Sequence, residues 1–364
     1  MIDDAFVFDT ISHALNLAPD NILNRYGQGL ADLFFHLNQW NPGGYRIPKD
    51  VFYRNLTIEQ QIETLLLESP VDLIGNMNLE LTGWMKDGLA SREKNIEAAS
   101  RYPDRYVNYI GIDCTKPPEA YLQDLKDLAT EMPRMPVALK LYPSQIYWEK
   151  GKERFASWRA DNRQVYSLYE QAAKMGIKTF IFHKALTDGP VPLNPYRIDD
   201  IDEPASLFPE LHFQIVHGGM AFMDETAQAI ARYPNVSVNM EVTTLLLYKA
   251  PDWFADILAH FFWWGGPEKV VWSSGSMFAH PRPLIERFWR DFKFPQHILD
   301  KFGLEQITRD QKKLVLGENA CRIFEIDIEA AKAKIKDDRF ARRLSAEGYA
   351  QPWSRWAPNE GRAE

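Results

Sequence analysis

Short runs of apolar and β-branched residues recur along the chain, and longer segments with a helical spacing of apolar residues separate them. A short apolar run is typical of a buried strand, and apolar residues three and four positions apart are typical of an amphipathic helix. The strand pattern covers residues 5–9, 71–75, 107–112, 137–141, 178–182, 212–216, 236–240 and 270–274. The helical pattern covers residues 58–67, 91–100, 119–131, 166–174, 224–231 and 252–262.

The alternation of these segments predicts a parallel sheet with helices packed against it. Eight strands are the number of a closed (β/α)8 barrel, and no glycine-rich phosphate-binding turn of the doubly wound kind follows the first one. We therefore predict an α/β fold, a TIM-type barrel over residues 1–340 that ends in C-terminal helices at 310–324 and 328–336. A doubly wound sheet is the alternative.

Three segments lie outside this alternation. Residues 16–49 contain a Gly- and Pro-rich tract, and we predict a long loop or a lid there. Residues 185–204 contain four prolines and an acidic run, and we predict a second long loop, with both segments at the functional face. The tail, residues 341–364, carries Trp353 and Trp356. Because these side chains are too apolar for a solvated end, we expect the tail to dock on the barrel or on a partner subunit.

Composition narrows the classes of function. The chain has 364 residues, 45% of them hydrophobic, so it is long enough to bury one large core. A formal net charge of −8 without a basic stripe argues against nucleic acid as a partner. The sequence shows neither an apolar stretch of membrane-spanning length nor a signal-peptide pattern, so we expect a cytoplasmic protein without a membrane partner.

Potential metal ligands follow the ends of the predicted strands, where barrels of this kind carry their chemistry. Imidazoles and carboxylates together suit zinc, iron or manganese, and several of each can hold two divalent ions. We therefore predict a site for one or two divalent metals. Its candidate ligands are Asp9 and His13 at the first strand, His183 at the fifth, His217 at the sixth, Glu241 at the seventh and His280 after the eighth.

Charged residues near these ligands are the candidates for catalysis and substrate binding. Lys140 lies between Leu139 and Leu141 and faces inward, so it needs a charged partner. It is a carboxylate partner, a substrate-binding charge or a modified metal bridge, and we predict catalytic roles for Lys140 and Glu241. The predicted substrate-binding residues are Lys184, Arg197 and Tyr142, with a solvated surface position as the alternative for the two charged ones.

The remaining histidines receive other interpretations. His36, in the predicted first loop, either reaches the site or only packs there, and the sequence leaves both possibilities open. His212 begins a strand and so lies on the opposite face of the barrel. We predict structural roles for His212, for His260 on a helix and for His297 in a surface-type segment.

Several motifs occur in a characteristic order along the chain. They are a loose one at residues 7–13 and closer ones at 139–143 (Leu-Lys-Leu-Tyr-Pro), 182–185 (Phe-His-Lys-Ala), 216–220 (Val-His-Gly-Gly-Met) and 317–324 (Gly-Glu-Asn-Ala-Cys-Arg-Ile-Phe). Over residues 6–326 the chain thereby resembles the metal-dependent amidohydrolase-related family. It departs from that pattern where Ile11 replaces the first of two histidines on strand one and where Gly275 replaces an aspartate after strand eight.

The departures resemble a divergent branch of the family. The spacing Asp9-x-x-x-His13 and the segments 239–243 and 276–283 carry this resemblance. The branch includes a two-subunit oxygenase that hydroxylates 2-aminoisobutyrate at a dinuclear manganese/iron site. The resemblance implies that Glu241 and His280 replace the lost ligands, that iron or manganese is favoured over zinc, and that the chain forms a homo- or hetero-oligomer with a paralogous barrel subunit.

Three hypotheses for function follow. In the first, the chain is an oxygenase or hydroxylase, or a subunit of one, that acts on a small amino or carboxylic acid such as 2-aminoisobutyrate. In the second, it is a metal-dependent hydrolase or non-oxidative decarboxylase, a hypothesis that the loss of the aspartate at Gly275 weakens. In the third, it is a non-catalytic barrel subunit that stabilises a catalytic paralogue.

Overall fold

Eight parallel strands lie side by side in the order in which they occur along the chain. The structure is a computed structural model, and it describes residues 1–356. Two further strands form a separate antiparallel hairpin after the fourth. The barrel strands are β1 (Phe8–Ser12), β2 (Leu73–Asn76), β3 (Tyr106–Ile112), β4 (Ala138–Leu141), β7 (Thr179–Phe182), β8 (His212–Ile215), β9 (Val236–Asn239) and β10 (Val270–Val271), and the hairpin strands are β5 (Ser144–Glu149) and β6 (Lys152–Ser157).

Hydrogen bonds between the first and last strands join the two edges of the sheet. The Thr10 hydroxyl donates to the Trp272 carbonyl at 2.7 Å, and the Ser273 hydroxyl lies 3.1 Å from the Ile11 amide and 2.9 Å from its carbonyl. The His13 amide donates to a further carbonyl after β10 at 2.9 Å. Side-chain hydrogen bonds and one parallel backbone bridge, between Ser12 and Ser276, thus close the seam, and the predicted (β/α)8 barrel is confirmed.

Helices separate the strands along the chain, and α4 and α5 pack on β3 while α8 packs on β9. The helices are α1 (Arg25–Asn38), α2 (Lys49–Phe52), α3 (Ile58–Leu67), α4 (Arg92–Arg101), α5 (Pro118–Glu131), α6 (Arg163–Lys174), α7 (Asp202–Leu207), α8 (Met223–Arg232), α9 (Leu246–Lys249), α10 (Pro251–Gly265), α11 (Pro281–Glu286), α12 (Gln296–Phe302), α13 (Arg309–Lys313), α14 (Asn319–Ile323), α15 (Ile328–Ile335) and α16 (Arg339–Glu347). The six predicted helices are confirmed, as are the C-terminal helices near residues 310–324 and 328–336.

The first strand lies three residues later than predicted. The apolar run at residues 5–9 suggested a strand there, but the amide of Val7 donates to the side chain of Asp72 at 2.9 Å, and the ladder with β2 begins only at Phe8. This shift places Asp9 inside β1 rather than at its end. His13 then follows the strand directly.

The segment 16–49 was predicted as a loop, and that prediction is wrong because it contains α1 (Arg25–Asn38). Asn24 caps this helix through its side chain, which accepts from the amides at positions 26 and 27. Leu30 and Leu37 are buried on its inner face, seven positions apart. The Gly- and Pro-rich tract that follows the helix favoured the prediction of a loop, although the capping residue and the helical spacing of apolar residues are both present in the sequence.

The tail docks on the barrel of its own chain through a buried carboxylate. Both oxygens of Glu68 accept hydrogen bonds, from the amide of Trp353 at 2.6 Å and from the amide and hydroxyl of Ser354 at 2.9 and 2.7 Å. Trp353 and Trp356 are buried and their rings pack at 5.0 Å. Residues 357–364 of the predicted tail lie outside the described residues.

Within residues 1–356, no helix combines the length and the apolar composition that crossing a bilayer requires.

The docked tail predicts a stability effect. Trp353→Ala removes a side chain that is 3% exposed, so we expect it to lower the free energy of unfolding by about 3–5 kcal/mol. Trp148→Ala, at a position that is 44% exposed, is the matched control and should cost less than about 1 kcal/mol. Urea denaturation followed by circular dichroism measures both, and equal losses would show that the tail does not dock in solution.

Candidate active site

Three of the predicted ligands stand just beyond the carboxyl ends of three consecutive barrel strands. His183 follows β7 directly, His217 comes two residues after β8, and Glu241 comes two residues after β9. The backbone is left-handed at His217, with φ of 69°, and at Val242, with φ of 65°. Val242 has a branched Cβ and such residues rarely adopt this conformation, so the fold holds strained backbone directly after Glu241.

Contacts join the three side chains in a row. Nε2 of His217 lies 3.1 Å from Nδ1 of His183, and Nδ1 of His217 lies 3.1 Å from Oε2 of Glu241. Burial and the nearby charge of Lys140 hold the pKa of both imidazoles well below the usual range, so both rings are neutral. The neutral imidazole is the form that binds a metal ion.

The far nitrogen of His183 is a hydrogen-bond donor. Nε2 lies 2.7 Å from the carbonyl oxygen of Leu186 and 3.3 Å from Oδ1 of Asp188. A carbonyl oxygen can only accept, so Nε2 carries the proton and Nδ1 keeps its lone pair. That lone pair faces His217.

Asp188 is a site residue that sequence reasoning missed. It lies in the segment 185–204, which was predicted to contribute to the site, but the acidic run at 199–203 offered more conspicuous candidates. The Tyr196 hydroxyl donates to Oδ2 of Asp188 at 2.9 Å and lies 2.8 Å from the Ser144 hydroxyl. Burial raises the pKa of Asp188 to about 7.

Lys140 projects from β4 into the same region and is 1% exposed. Among the described residues its ammonium finds no hydrogen-bond partner, and it lies 4.3 Å from the centre of the Tyr142 ring. That ring in turn packs 4.6 Å from His183. Burial lowers the pKa of Lys140 to about 8, and the charges of Glu241 and Asp188 oppose the shift. Lys140 faces inward as predicted, but among the described residues no carboxylate lies within ion-pair distance of its ammonium, so the predicted charged partner stays a prediction.

Glu241 is held by the polar layer of the barrel interior. The side chain of Asn239 accepts from the Glu241 amide at 3.0 Å and donates to Thr10 at 2.8 Å and to Gln214 at 2.9 Å. Burial raises the pKa of Glu241 to about 8, and the charge of Lys140 counters part of that effect. A buried carboxyl in this setting binds a proton or a cation.

The two candidates on the first strand differ in their surroundings. Asp9 accepts from the amide of Ser274 at 2.9 Å and from the hydroxyls of Ser273 and Ser274, and burial raises its pKa to about 6. Both of its oxygens are therefore occupied by the closing seam. The Nδ1 atom of His13 has no hydrogen-bond partner within residues 1–356, and burial lowers the pKa of this ring to about 3.

A small cavity of about 20 Å³ lies among these groups. Five ionisable side chains and the Tyr142 ring line one part of it, and α1, the segment between β2 and α4 and the segment after β10 cover the other part with apolar side chains. The polar lining is His13, His183, His217, Glu241 and Asp188, and the apolar lining includes Leu30, Leu33, Phe34, Leu79, Leu89 and Phe278.

Other predicted site residues lie elsewhere. His280 contacts Glu68 through Nε2 at 3.1 Å, and its ring packs 4.8 Å from Tyr45 and 4.8 Å from Trp353, so it belongs to the docking site of the tail. The Lys184 ammonium is buried and donates to Asp200 at 2.7 Å, where it holds the loop 185–204.

Two further candidates lie at the surface. Arg197 is partly exposed, and its Nε lies 3.4 Å from Asp199 while its Nη2 lies 3.6 Å from Glu225. His36 is exposed on α1 next to Trp40. Neither side chain lines the cavity described above.

The donor set fits a divalent transition-metal ion, although within residues 1–356 no three His, Cys, Asp or Glu side chains already stand at ligand spacing. Two ligand nitrogens about 2.1 Å from one ion lie roughly 3.0–3.4 Å apart, and His183 and His217 are separated by 3.1 Å. The unpartnered Nδ1 of His13 and the buried carboxyl of Glu241 face the same cavity. His13, His183, His217 and Glu241 are the side chains that would hold the ion.

A comparison with protein-family models gives one match, to the amidohydrolase model, over residues 82–326. This span covers most of the barrel and includes His183, His217 and Glu241. The chain belongs to the amidohydrolase family. A comparison with curated protein sequences finds no match to this amidohydrolase.

Several solved structures share the fold of this chain. An uncharacterized TIM-barrel protein from Bordetella bronchiseptica has a TM-score of 0.60 and 16% identity over 88% of this chain and 98% of its own. The 4-oxalomesaconate hydratase from Rhodopseudomonas palustris has a TM-score of 0.54 and 17% identity over 91% and 99%. The 5-carboxyvanillate decarboxylase from Novosphingobium aromaticivorans, complexed with manganese and 4-hydroxy-3-methoxy-5-nitrobenzoic acid, has a TM-score of 0.51 and 12% identity over 89% and 97%.

The position of Gly275 predicts a steric effect at the site. Its φ is +74°, and a Cβ there would lie 2.9 Å from the Phe278 ring and 3.3 Å from Oε1 of Glu241. We expect Gly275→Ala to lower the free energy of unfolding by about 2–4 kcal/mol, from overlap and left-handed strain together. Gly176→Ala, with φ of +89° and open space around the new Cβ, should cost only about 1 kcal/mol. Urea denaturation compares the two, and equal costs would mean that Phe278 moves freely.

Proposed function

We propose that this member of the amidohydrolase family is a metal-dependent oxygenase that hydroxylates a small amino or carboxylic acid. One atom of dioxygen enters the C–H bond, and the other leaves as water with two protons and two electrons from an external reductant. The observation that carries the proposal is the row of His183, His217 and Glu241, two neutral imidazoles and one carboxyl side by side in a buried cavity. Two histidines and one carboxylate with open positions are the donor set typical of non-haem iron oxygenases. His13 adds a third imidazole, so the set has more ligands than one zinc ion needs.

The residues around the cavity have separable tasks. One or two divalent ions would be bound here: iron or manganese would supply Lewis-acid and redox chemistry, and zinc, the alternative, would supply Lewis-acid chemistry alone. Lys140 holds a proton at Nζ near neutral pH and is placed to donate it. The side chains of Leu30, Phe34 and Phe278 exclude water, which strengthens the electrostatic interactions inside.

The expected substrate is small and anionic. The cavity of about 20 Å³ leaves little room, and the buried Lys140 ammonium offers a positive charge beside the Tyr142 ring that lines it. We keep Tyr142 as a substrate-binding candidate and drop Lys184 and Arg197, because Asp200, Asp199 and Glu225 already engage their charges.

A second candidate function is hydrolysis or non-oxidative decarboxylation. It is favoured by the fold neighbours, which include a hydratase and a decarboxylase with bound manganese. It is disfavoured by Gly275, which leaves the site without the aspartate that the family pattern places there. Dioxygen dependence separates the two reactions.

An oligomer with an identical or paralogous barrel remains part of the proposal. Three tryptophans on α10 are exposed by 46, 52 and 37% and form the surface that we expect a partner to cover. If the chain is a companion subunit, it will gain activity only when a paralogue is present. The exposed residues are Trp253, Trp263 and Trp264.

Metal analysis and oxygen consumption test the proposal together. We expect natively purified protein to contain iron or manganese and to consume dioxygen when 2-aminoisobutyrate, as the first substrate, and a two-electron reductant are added together. Metal content is measured by mass spectrometry and dioxygen by an electrode. Protein that contains only zinc and takes up no dioxygen, alone or with its partner, would refute the oxygenase, and turnover that is equal without dioxygen would establish the second candidate.

Two histidine variants test the ligand set. His217→Ala removes one member of the row, so we expect the bound metal to fall at least tenfold in the purified protein. His280→Gln alters a histidine that is equally buried but contacts Glu68, so it should keep its metal while it weakens docking of the tail. Loss of metal from the His280 variant would return this residue to the ligand set.

A further inference from the structure

Asp188 joins His183 to a buried chain of polar side chains. Oδ1 of Asp188 lies 3.3 Å from Nε2 of His183, and Oδ2 accepts the Tyr196 hydroxyl at 2.9 Å. The Tyr196 oxygen lies 2.8 Å from the hydroxyl of Ser144, the first residue of the hairpin. Asp188 is 3% exposed and Tyr196 is fully buried, so water does not compete for these contacts.

The backbone around Asp188 is also fixed. The indole nitrogen of Trp84 donates to the Asp188 carbonyl at 3.1 Å. A Cβ at the next residue, Gly189, would lie 3.1 Å from the backbone of Leu30 on α1, so the helix packs closely here. The position of the Asp188 carboxylate is therefore fixed in two ways. Trp84 and the close packing of α1 hold its backbone, and the Tyr196 hydroxyl binds Oδ2.

This arrangement decides which nitrogen of His183 is offered to a ligand. The Leu186 carbonyl accepts from Nε2 at 2.7 Å, so Nε2 is the protonated nitrogen, and the Asp188 carboxyl lies 3.3 Å from the same nitrogen. Nδ1 then points toward His217 with its lone pair. A carboxylate on the far nitrogen of a metal-binding imidazole fixes its tautomer and raises its basicity.

We propose that Asp188 is a positioning residue that holds His183 with Nδ1 toward the metal position, and that Tyr196 fixes the Asp188 carboxylate for this task. The inference rests on the proposed function to the extent that the site binds a divalent ion. It does not depend on whether the reaction uses dioxygen. Two other roles are distinguishable: Asp188 balances the charge of Lys140 only, or Asp188 is itself a ligand of the ion.

The test uses metal-free full-length protein and manganese(II) alone as the probe. Three variants are compared with wild type: Asp188→Asn, Tyr196→Phe and, as the matched control, Asp199→Asn. Asp199 lies in the same loop but is exposed and pairs with Arg159 at 3.0 Å. Calorimetric titration gives the dissociation constant, proton–nitrogen NMR of histidine-labelled protein gives the tautomer of His183, and urea denaturation shows whether each metal-free variant is folded.

We expect Asp188→Asn to weaken manganese binding by about 10–100-fold, as is typical for the loss of such an outer partner. Tyr196→Phe should weaken it several-fold with the carboxylate still present, and both variants should lower the population of the Nε2-protonated tautomer. Asp199→Asn should bind like wild type.

Three results would overturn the inference. Equal affinity of wild type and Asp188→Asn would remove the positioning role while leaving the metal site intact. A large loss in Asp188→Asn with an unchanged tautomer and an unchanged Tyr196→Phe would make Asp188 a ligand or a charge partner instead. If wild type itself binds no manganese, iron or zinc, the proposed function fails and the positioning role fails with it.

Discussion

The mutual compensation of buried charges is the constraint on which the site depends. Lys140, Glu241 and Asp188 are all within the interior, where an isolated charge is costly. Each shifts toward its neutral form, with pKa values of about 8 for Lys140, 8 for Glu241 and 7 for Asp188. A cation bound among these groups would meet the lone pairs of neutral His183 and His217 and would favour loss of the protons from the nearby carboxyls.

Hydrogen bonds inside the barrel stabilise part of this cluster of buried polar groups. Asn239, Gln214 and Thr10 form a hydrogen-bonded layer inside the strands, and Asn239 reaches the amide of Glu241. The serines after β10 bind Asp9 and also close the seam with β1. Closure of the barrel and placement of the site therefore use the same residues, and Asp9 is better understood as part of that closure than as an available ligand.

A continuous series of contacts links the tail to the apolar side chains that cover the cavity. Trp353 packs on His280, and the amide of His280 donates to the side chain of Asn41 at 3.0 Å. Asn38 and Asn41 both donate to the carbonyl of Phe278, whose ring stacks on Phe34 of α1 at 4.9 Å. The histidine that the sequence motif suggested as a ligand is thus a link between the C-terminal segment and the apolar cover.

Local patterns in the sequence determined the eight strands, most of the helices and the placement of His183, His217 and Glu241 at strand ends, because periodicity and strand order are short-range properties. Residues distant in sequence decided the rest. Glu68 is 212 positions from His280 in the sequence, and its contact with His280 places that histidine at the docking site of the tail. Asp188 became a site residue only because Tyr196 and Trp84 fix the loop around it. The hydrogen-bond partner of a buried polar atom depends on how separate helices, strands and loops pack together. The spacing of residues along the chain does not reveal that packing.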